Sequence, residues 1–383
     1  MKKHIVLLIS SVLFFFTACA TLKTDIENSS DTKITKKAEQ LLSEMTLEEK
    51  VGQLFVIQPD QLDLKFGNVK AYKYWKSLPS SQKKNLKKYP VGGFIIFGMN
   101  IKSEKQLKAL NAQLKAACKI TPFMAVDEEG GRVARLGNTK ALGLKRLPSM
   151  EDIGATGDVK KAYQAGEYIG SYLSEYGFNW DYAPVTDVNT NPENRVIGNR
   201  AFGSDPKLVV DMANAYLEGL HAHNVMGCIK HFPGHGDTKD DTHEDFVYVA
   251  KNWEELKKCE LIPFVNTFKN ADSVMIAHVT VPAVSGEEVP ASLSKEMITG
   301  KLRNELGYKG LILTDALGMG AIKKHYGSAS AAIMAFNAGN DVILMPADFY
   351  NAWDGMVAAA KDGRISEKRL NESVLKILKM KGY

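Results

Sequence analysis

Eight short apolar runs, separated by segments with helical periodicity, limit what this chain can become more than any other feature of its sequence. The runs fall at 51–57, 93–97, 123–126, 180–185, 225–229, 274–277, 311–313 and 342–345. Each reads as a buried strand. Amphipathic stretches at 104–117, 160–176, 206–223 and 295–306 lie between them, and Thr46 with Glu49 three residues on has the pattern of a capping box ahead of the first run. Strand and helix alternating eight times predict a parallel (β/α)8 barrel of the TIM type. A doubly wound open sheet is the rival, weakened because no GxGxxG or Walker-type loop follows the early strands.

The ends of these runs carry chemistry. Asp127 ends Phe-Met-Ala-Val, Asp187 closely follows Ala-Pro-Val, Lys230 and His231 end Gly-Cys-Ile, His278 ends Met-Ile-Ala, and Asp315 closely follows Leu-Ile-Leu. One charged residue after a strand is usually a helix cap or a solvated turn. Five such placements in a parallel barrel would meet on the face formed by the strand C-termini, where barrel enzymes place their chemistry. The densest of them is VMGCIKHFPGHGDTKDDTHEDF, residues 225–246, a strand that hands over to a glycine-punctuated loop crowded with His235, Asp237, Asp240, Asp241, His243, Glu244 and Asp245. These residue types can bind metal, but the spacing lacks HExxH, and no metal or other cofactor is expected.

The N-terminus reads as a targeting segment. Lys2-Lys3 precede an apolar stretch at 5–16 that is shorter than the ~20 residues a membrane span needs. The junction Phe16-Thr17-Ala18-Cys19 resembles a bacterial lipobox, in which the cysteine is lipidated and becomes the new N-terminus; an ordinary secretory cleavage near Ala18 or Ala20 is the plainer reading. The expected organisation is a signal peptide at 1–18, a polar tether at 19–35, and one barrel domain at 36–383, with no linker-like tract inside it. Cys118, Cys228 and Cys259 then remain, an odd number without a CxxC pair, so neither a disulfide framework nor a zinc site is expected. A net charge of +5, two of it from Lys2 and Lys3, is too mild to imply a nucleic-acid partner, and no basic block is interleaved with aromatics.

Several motifs carry a family resemblance: MTLEEKVGQLF (45–55), DEEGGRVARL (127–136), NPENRVIGNRAFGSD (191–205), KHFPGHGDTKDDTH (230–243), PASLSKEMITGKLRNELGYKGLILTDAL (290–317) and AGNDVILMP (338–346). Together, and in this order, they resemble glycoside hydrolase family 3, in its β-N-acetylhexosaminidase branch, over essentially all of 36–383. The histidine loop is the specific mark of that branch.

The resemblance implies a barrel fold and an exo-acting, retaining β-N-acetylglucosaminidase acting on peptidoglycan fragments (muropeptides) or other GlcNAc-terminated glycans. It makes Asp315 the nucleophile and His243, steered by Asp241, the acid/base; this chain has Thr242 where the branch has Ser. A carboxylate at a rigid strand end suits nucleophilic attack, and an imidazole beside a carboxylate suits proton transfer near neutrality. Asp127, Arg135, Arg200, Lys230 and His231 carry over as substrate-binding residues. Gly234 and Gly236 are expected to let the loop carry His243 over the substrate and away again, and Arg132 and Arg195 are candidates for structural ion pairs. The expected protein is a monomer, tethered by lipid to a bacterial envelope membrane. Two rivals remain open in the sequence: a β-N-acetylglucosaminide phosphorylase using the same residues, and a non-catalytic sugar-binding lipoprotein.

Overall fold

The computed structural model describes residues 34–66 and 74–383. The expected signal peptide, Cys19 and nearly all of the tether lie outside the described residues. Residues 34–44 are helical, so the tether as read to 35 overlaps the first turn of this helix.

Each apolar run contains a strand: β1 Phe55–Ile57, β2 Gly93–Ile95, β3 Phe123–Val126, β4 Trp180–Asp181, β5 Met226–Phe232, β6 Ser273–Ile276, β7 Leu311–Thr314 and β8 Ile343–Leu344. They pair in parallel in the order β7-β6-β5-β4-β3-β2-β1-β8. A parallel bridge between Leu313 and Val342 joins the two ends, and there the Thr314 N–H reaches the Val342 carbonyl at 3.1 Å. A ring of strands in sequence order is a barrel, which excludes the doubly wound sheet.

The first run is the one place where periodicity misled. Val51–Gln53 belong to helix α1, Leu47–Gln53, and the strand starts only at Phe55. The capping box explains why: Glu49 N–H donates to Thr46 Oγ1 at 3.1 Å, and Thr46 N–H donates to Glu49 Oε2 at 2.9 Å. That nucleates a helix whose inner face is the apolar Val51 and Gly52. The fourth run is regular only over Trp180–Asp181, with Val185 bridging onward to Lys230.

The outer helices bury one stripe each. Helix α2, Glu104–Ala117, buries Leu107, Leu110 and Leu114 and is capped by Ser103; α3, Val159–Tyr176, and α4, Pro206–His221, pack on one another. The expected helix at 295–306 is present as a π-helix, α5, Glu296–Glu305. Cys228 lies fully buried in β5 as a small apolar residue. No helix among the described residues is long and apolar enough to cross a membrane.

Candidate active site

Because all eight strands run the same way, the residues that follow them converge on one face. There a cavity of about 670 Å³ is lined by Asp127, Glu129, Arg135, Arg200, Lys230, His231, His235, His243 and Asp315, with Phe97, Ile197, Met319 and Lys323 among the remaining walls. All of the expected sugar-binding residues, the expected nucleophile and the expected acid/base therefore share one pocket.

At its deep end, Lys230 is 2% exposed yet remains a cation. Burial works against its charge, but Glu129 at 2.6 Å and Asp127 at 3.1 Å hold its pKa up at about 12. Asp127 also accepts from Arg135 Nη2 at 3.1 Å. Glu129 accepts from Arg200 through both oxygens, at 2.8 and 2.7 Å, a bidentate pair. Burial disfavours both carboxylates, yet the cations hold each below its ordinary value, led by Lys230 for Asp127 and by Arg200 for Glu129. The sequence reading missed Glu129. A usable signal was present: Asp127 and Glu129 are two apart on an extended segment, so they share a side. Glu128 points the other way, into the core, where Tyr172 OH and the Leu136 and Gly137 N–H groups donate to it.

The strand-end residues whose roles stayed open turn out to support the pocket from behind. Asp187 is fully buried; it accepts from His231 Nδ1 at 2.7 Å and from the His235 N–H at 2.7 Å. A carboxylate only accepts, so His231 carries its proton on Nδ1 and turns Nε2 toward Arg200 Nη2, 3.3 Å away. His278 is likewise buried. Its Nε2–H donates to the Ala316 carbonyl at 2.9 Å, which leaves Nδ1 to accept from the Ser292 hydroxyl at 2.7 Å. The His278 imidazole is pushed below its ordinary value by burial, against the pull of the Asp315 carboxylate beside it. It braces the turn that carries Asp315.

Asp315 follows β7 directly, its N–H donating to the Ile276 carbonyl at 2.9 Å and one carboxylate oxygen accepting from the Ala316 N–H at 2.7 Å. Burial opposes its ionisation, but the imidazoles around it, His278 first and then His231, together with that N–H, hold its carboxyl below the ordinary value. It is an anion fixed at a strand end.

His243 occupies the mouth, with its side chain 65% exposed. Asp241 accepts from its Nδ1 at 2.7 Å and from its backbone N–H at 2.8 Å. Nδ1 is thus the donor, and Nε2, which has no hydrogen-bond partner among the described residues, is free to give or take a proton. Burial works against the Asp241 anion, and the two contacts to His243 hold it below its ordinary value.

The loop that carries His243 is docked against its neighbours in this structure. Gly236 sits where a Cβ would lie 2.0 Å from the Val188 carbonyl oxygen, so the glycine serves a close backbone approach. His235 ties the loop to itself through Thr238 at 2.6 Å and Thr242 at 3.4 Å. The carbonyls of Thr242 and His243 then accept from the Ala321 and Gly320 N–H groups, both at 3.1 Å. Arg132 forms no ion pair of the kind expected: its guanidinium donates to the carbonyls of Arg195, Val196 and Ile197 and so fixes the loop before Arg200.

Comparison with known proteins identifies the family. The model of the glycosyl hydrolase family 3 N-terminal domain matches residues 46–380. β-Hexosaminidase A of Pseudoalteromonas piscicida is 33% identical over 335 residues, covering 80% of this chain and 55% of that protein. A β-hexosaminidase of Stenotrophomonas maltophilia strain R551-3 is 37% identical over 262 residues, covering 67% of this chain and 76% of that protein. Among solved structures, a family 3 β-N-acetylglucosaminidase from Paenibacillus sp. str. FPU-7 superposes with a TM-score of 0.81 at 37% identity, covering 88% of this chain and 62% of that one. The chain thus spans little more than half the length of the first relative and under two thirds of the Paenibacillus structure.

Proposed function

The chain belongs to glycosyl hydrolase family 3, and from that premise we propose that it is an exo-acting, retaining β-N-acetylglucosaminidase that removes terminal GlcNAc from peptidoglycan fragments or other glycans. The observation that carries the reading is the shared cavity: a half-buried carboxylate, Asp315, and an aspartate-steered imidazole, His243, line one pocket whose deep end is built of paired cations and carboxylates.

In the first step an Asp315 oxygen attacks the anomeric carbon and forms a glycosyl ester as the bond to the leaving oxygen breaks; that oxygen takes the proton from His243 Nε2. In the second step the neutral Nε2 removes a proton from water, the water oxygen attacks the same carbon, and Asp315 leaves as a carboxylate. Asp241 keeps the proton-carrying face of the ring toward the pocket in both steps. Asp127, Arg135, Arg200, Lys230 and His231 orient the sugar, since a fixed fork of donors and acceptors turns binding into alignment.

Asp315→Ala should abolish hydrolysis of a nitrophenyl β-GlcNAc substrate, and a 5-fluoro-GlcNAc fluoride should add one glycosyl mass to the peptide that contains Asp315. Wild-type turnover in the alanine variant would end the proposal. Measuring the reaction with and without phosphate, while watching for GlcNAc-1-phosphate, decides between hydrolysis and phosphorolysis. Attachment of a monomeric enzyme to a bacterial envelope membrane through Cys19 is part of the same reading, supported by the pattern of residues 2–19. Fatty-acid labelling that persists in Cys19→Ala would overturn it.

A further inference from the structure

Beyond the pocket, the histidine loop makes a second set of contacts that none of the catalytic roles requires. The Phe246 ring stacks on the His325 ring, with centroids 4.1 Å apart and planes 16° from parallel. His325 Nε2 lies 2.7 Å from Asp245 Oδ1, and Lys324 Nζ lies 3.5 Å from Asp245 Oδ2. His325 and Lys324 follow the short helix Gly320–Lys323, which comes immediately after the Asp315 turn. Two loops are therefore joined, one bearing the expected acid/base and the other the expected nucleophile. Asp245, Phe246, Lys324 and His325 are not among the residues that line the cavity. The contact has electrostatic content: the bond from His325, ahead of the Phe246 N–H, lowers the Asp245 carboxyl to about 2.

We propose that His325 is a positioning residue for the acid/base histidine: stacked on Phe246 and paired with Asp245, it clamps the loop of His243 against the segment behind Asp315. The loop's side chains at 243–245 are exposed, and what joins it to the segment after Asp315 is the pair of backbone bonds from Gly320 and Ala321 together with this clamp; just past Phe246, Val247 and Tyr248 pair with Val279 and Thr280. With the clamp released, only those backbone bonds would tie the loop of His243 to the segment behind Asp315. The sugar-binding residues, seated on β3, β5 and the 195–200 loop, would keep their places. The defect should therefore appear in proton delivery to the leaving group and not in sugar binding.

This inference rests on the proposed activity for its kinetic arm but not for its structural arm. His325→Ala and Asp245→Asn, the latter removing the partner of Lys324 as well, should each lower kcat/KM for an unactivated phenyl β-GlcNAc about ten- to a hundredfold, the scale set by misplacing a catalytic group. Both should leave kcat/KM nearly unchanged for a dinitrophenyl glycoside, whose leaving group needs no proton. His325→Arg, which supplies a planar donor able to stack and pair, should restore most of the loss. In a His243→Ala background, His325→Ala should cost nothing more. Hydrogen exchange without substrate should show faster exchange at 241–247 in His325→Ala, whatever the enzyme cleaves. Equal losses for both leaving groups, additivity with His243→Ala, or unchanged exchange would each overturn the clamp. A wild-type protein inactive on every β-GlcNAc glycoside, with faster exchange still seen in the variant, would instead remove the activity and leave the clamp standing.

Discussion

With its side chain 1% exposed, Glu129 holds the guanidinium of Arg200 through two oxygens and the ammonium of Lys230 through one. Without it, Arg200 would lose its carboxylate partner and the buried Lys230 would keep only Asp127, which already pairs with Arg135. An isolated buried charge is costly, and a charge-assisted bond lost inside a protein is felt more than one lost at its surface. Glu129→Gln keeps the shape and removes the charge. It should lower kcat/KM by about 10- to 100-fold, corresponding to the roughly 1.5–3 kcal/mol of a charged hydrogen bond. Most of the change should fall on KM, because the lost alignment concerns the sugar subsite and not the proton at His243. Steady-state kinetics on a nitrophenyl glycoside tests this, and an unchanged KM would reduce Glu129 to a purely structural pair. At this scale the sequence showed which residue types end the strands, and His231 and Lys230 lie where that reading put them. It could not show which carboxylate of the DEEGG segment faces the pocket, nor that Asp187 and His278 act from behind it, because those roles depend on which side of the barrel wall a side chain takes.

At the scale of elements, the histidine loop and the turn after β7 behave as one unit. Gly320 lies where a Cβ would stand 2.3 Å from the Glu244 carbonyl oxygen and 2.4 Å from that of His243. Gly320→Ala is harmless to the short helix it begins but must push the two backbones apart. Since a displacement of about 1 Å at a catalytic group can cost on the order of a hundredfold in rate, kcat should fall at least about tenfold while the thermal midpoint moves by only a few degrees. A melting curve beside a kcat measurement separates the two effects, and a large drop in midpoint with a normal kcat would contradict the argument. The existence of all eight strands was legible, because a buried parallel strand must be apolar on both faces. Its edges were not. Val51–Gln53 read as strand because an apolar face looks alike in both periods over so short a run, and the capping box that makes them helical is a contest of local hydrogen bonds. The glycines of the loop were legible as glycines, but whether each one supplies freedom or close approach depends on what lies across from it, such as the Val188 carbonyl.

For the molecule as a whole, the C-terminal helix α6, Glu367–Met380, and the residues after it are tied to the strand starts, at the end of the barrel opposite the pocket. Lys381 Nζ donates to Gln53 Oε1 and to the Gly92 carbonyl, both at 2.7 Å, beneath the first two strands. Just ahead of β8, the fully buried Asp341 gathers Arg303, Arg369 at 3.3 Å and Lys376 at 3.7 Å, with Ser373 donating at 2.6 Å and the Ile312 N–H at 3.1 Å. Burial works against the Asp341 charge and pushes Arg303 and Lys376 down. The one anion, surrounded by three cations, is nevertheless held below its ordinary value, Arg303 contributing most. Removing that anion leaves the cations facing one another, so Asp341→Asn should cost about 3–5 kcal/mol in urea unfolding, as breaking a buried pair does. Because the cluster lies at the far end of the strands from Asp315, kcat of the folded variant should stay within about twofold, the expectation for sites that share no partners. The pH dependence has a definite sign. A depressed folded pKa means that the unfolded chain binds the extra proton first, so Asp341 contributes full stability above the ordinary value of about 3.9 and loses it as pH falls through the lower folded value. In that window wild-type stability should fall with a slope steeper than that of Asp341→Asn by up to about 1.4 kcal/mol per pH unit. Parallel acid limbs for the two proteins would mean that this buried carboxylate does not hold the C-terminal helix to the barrel.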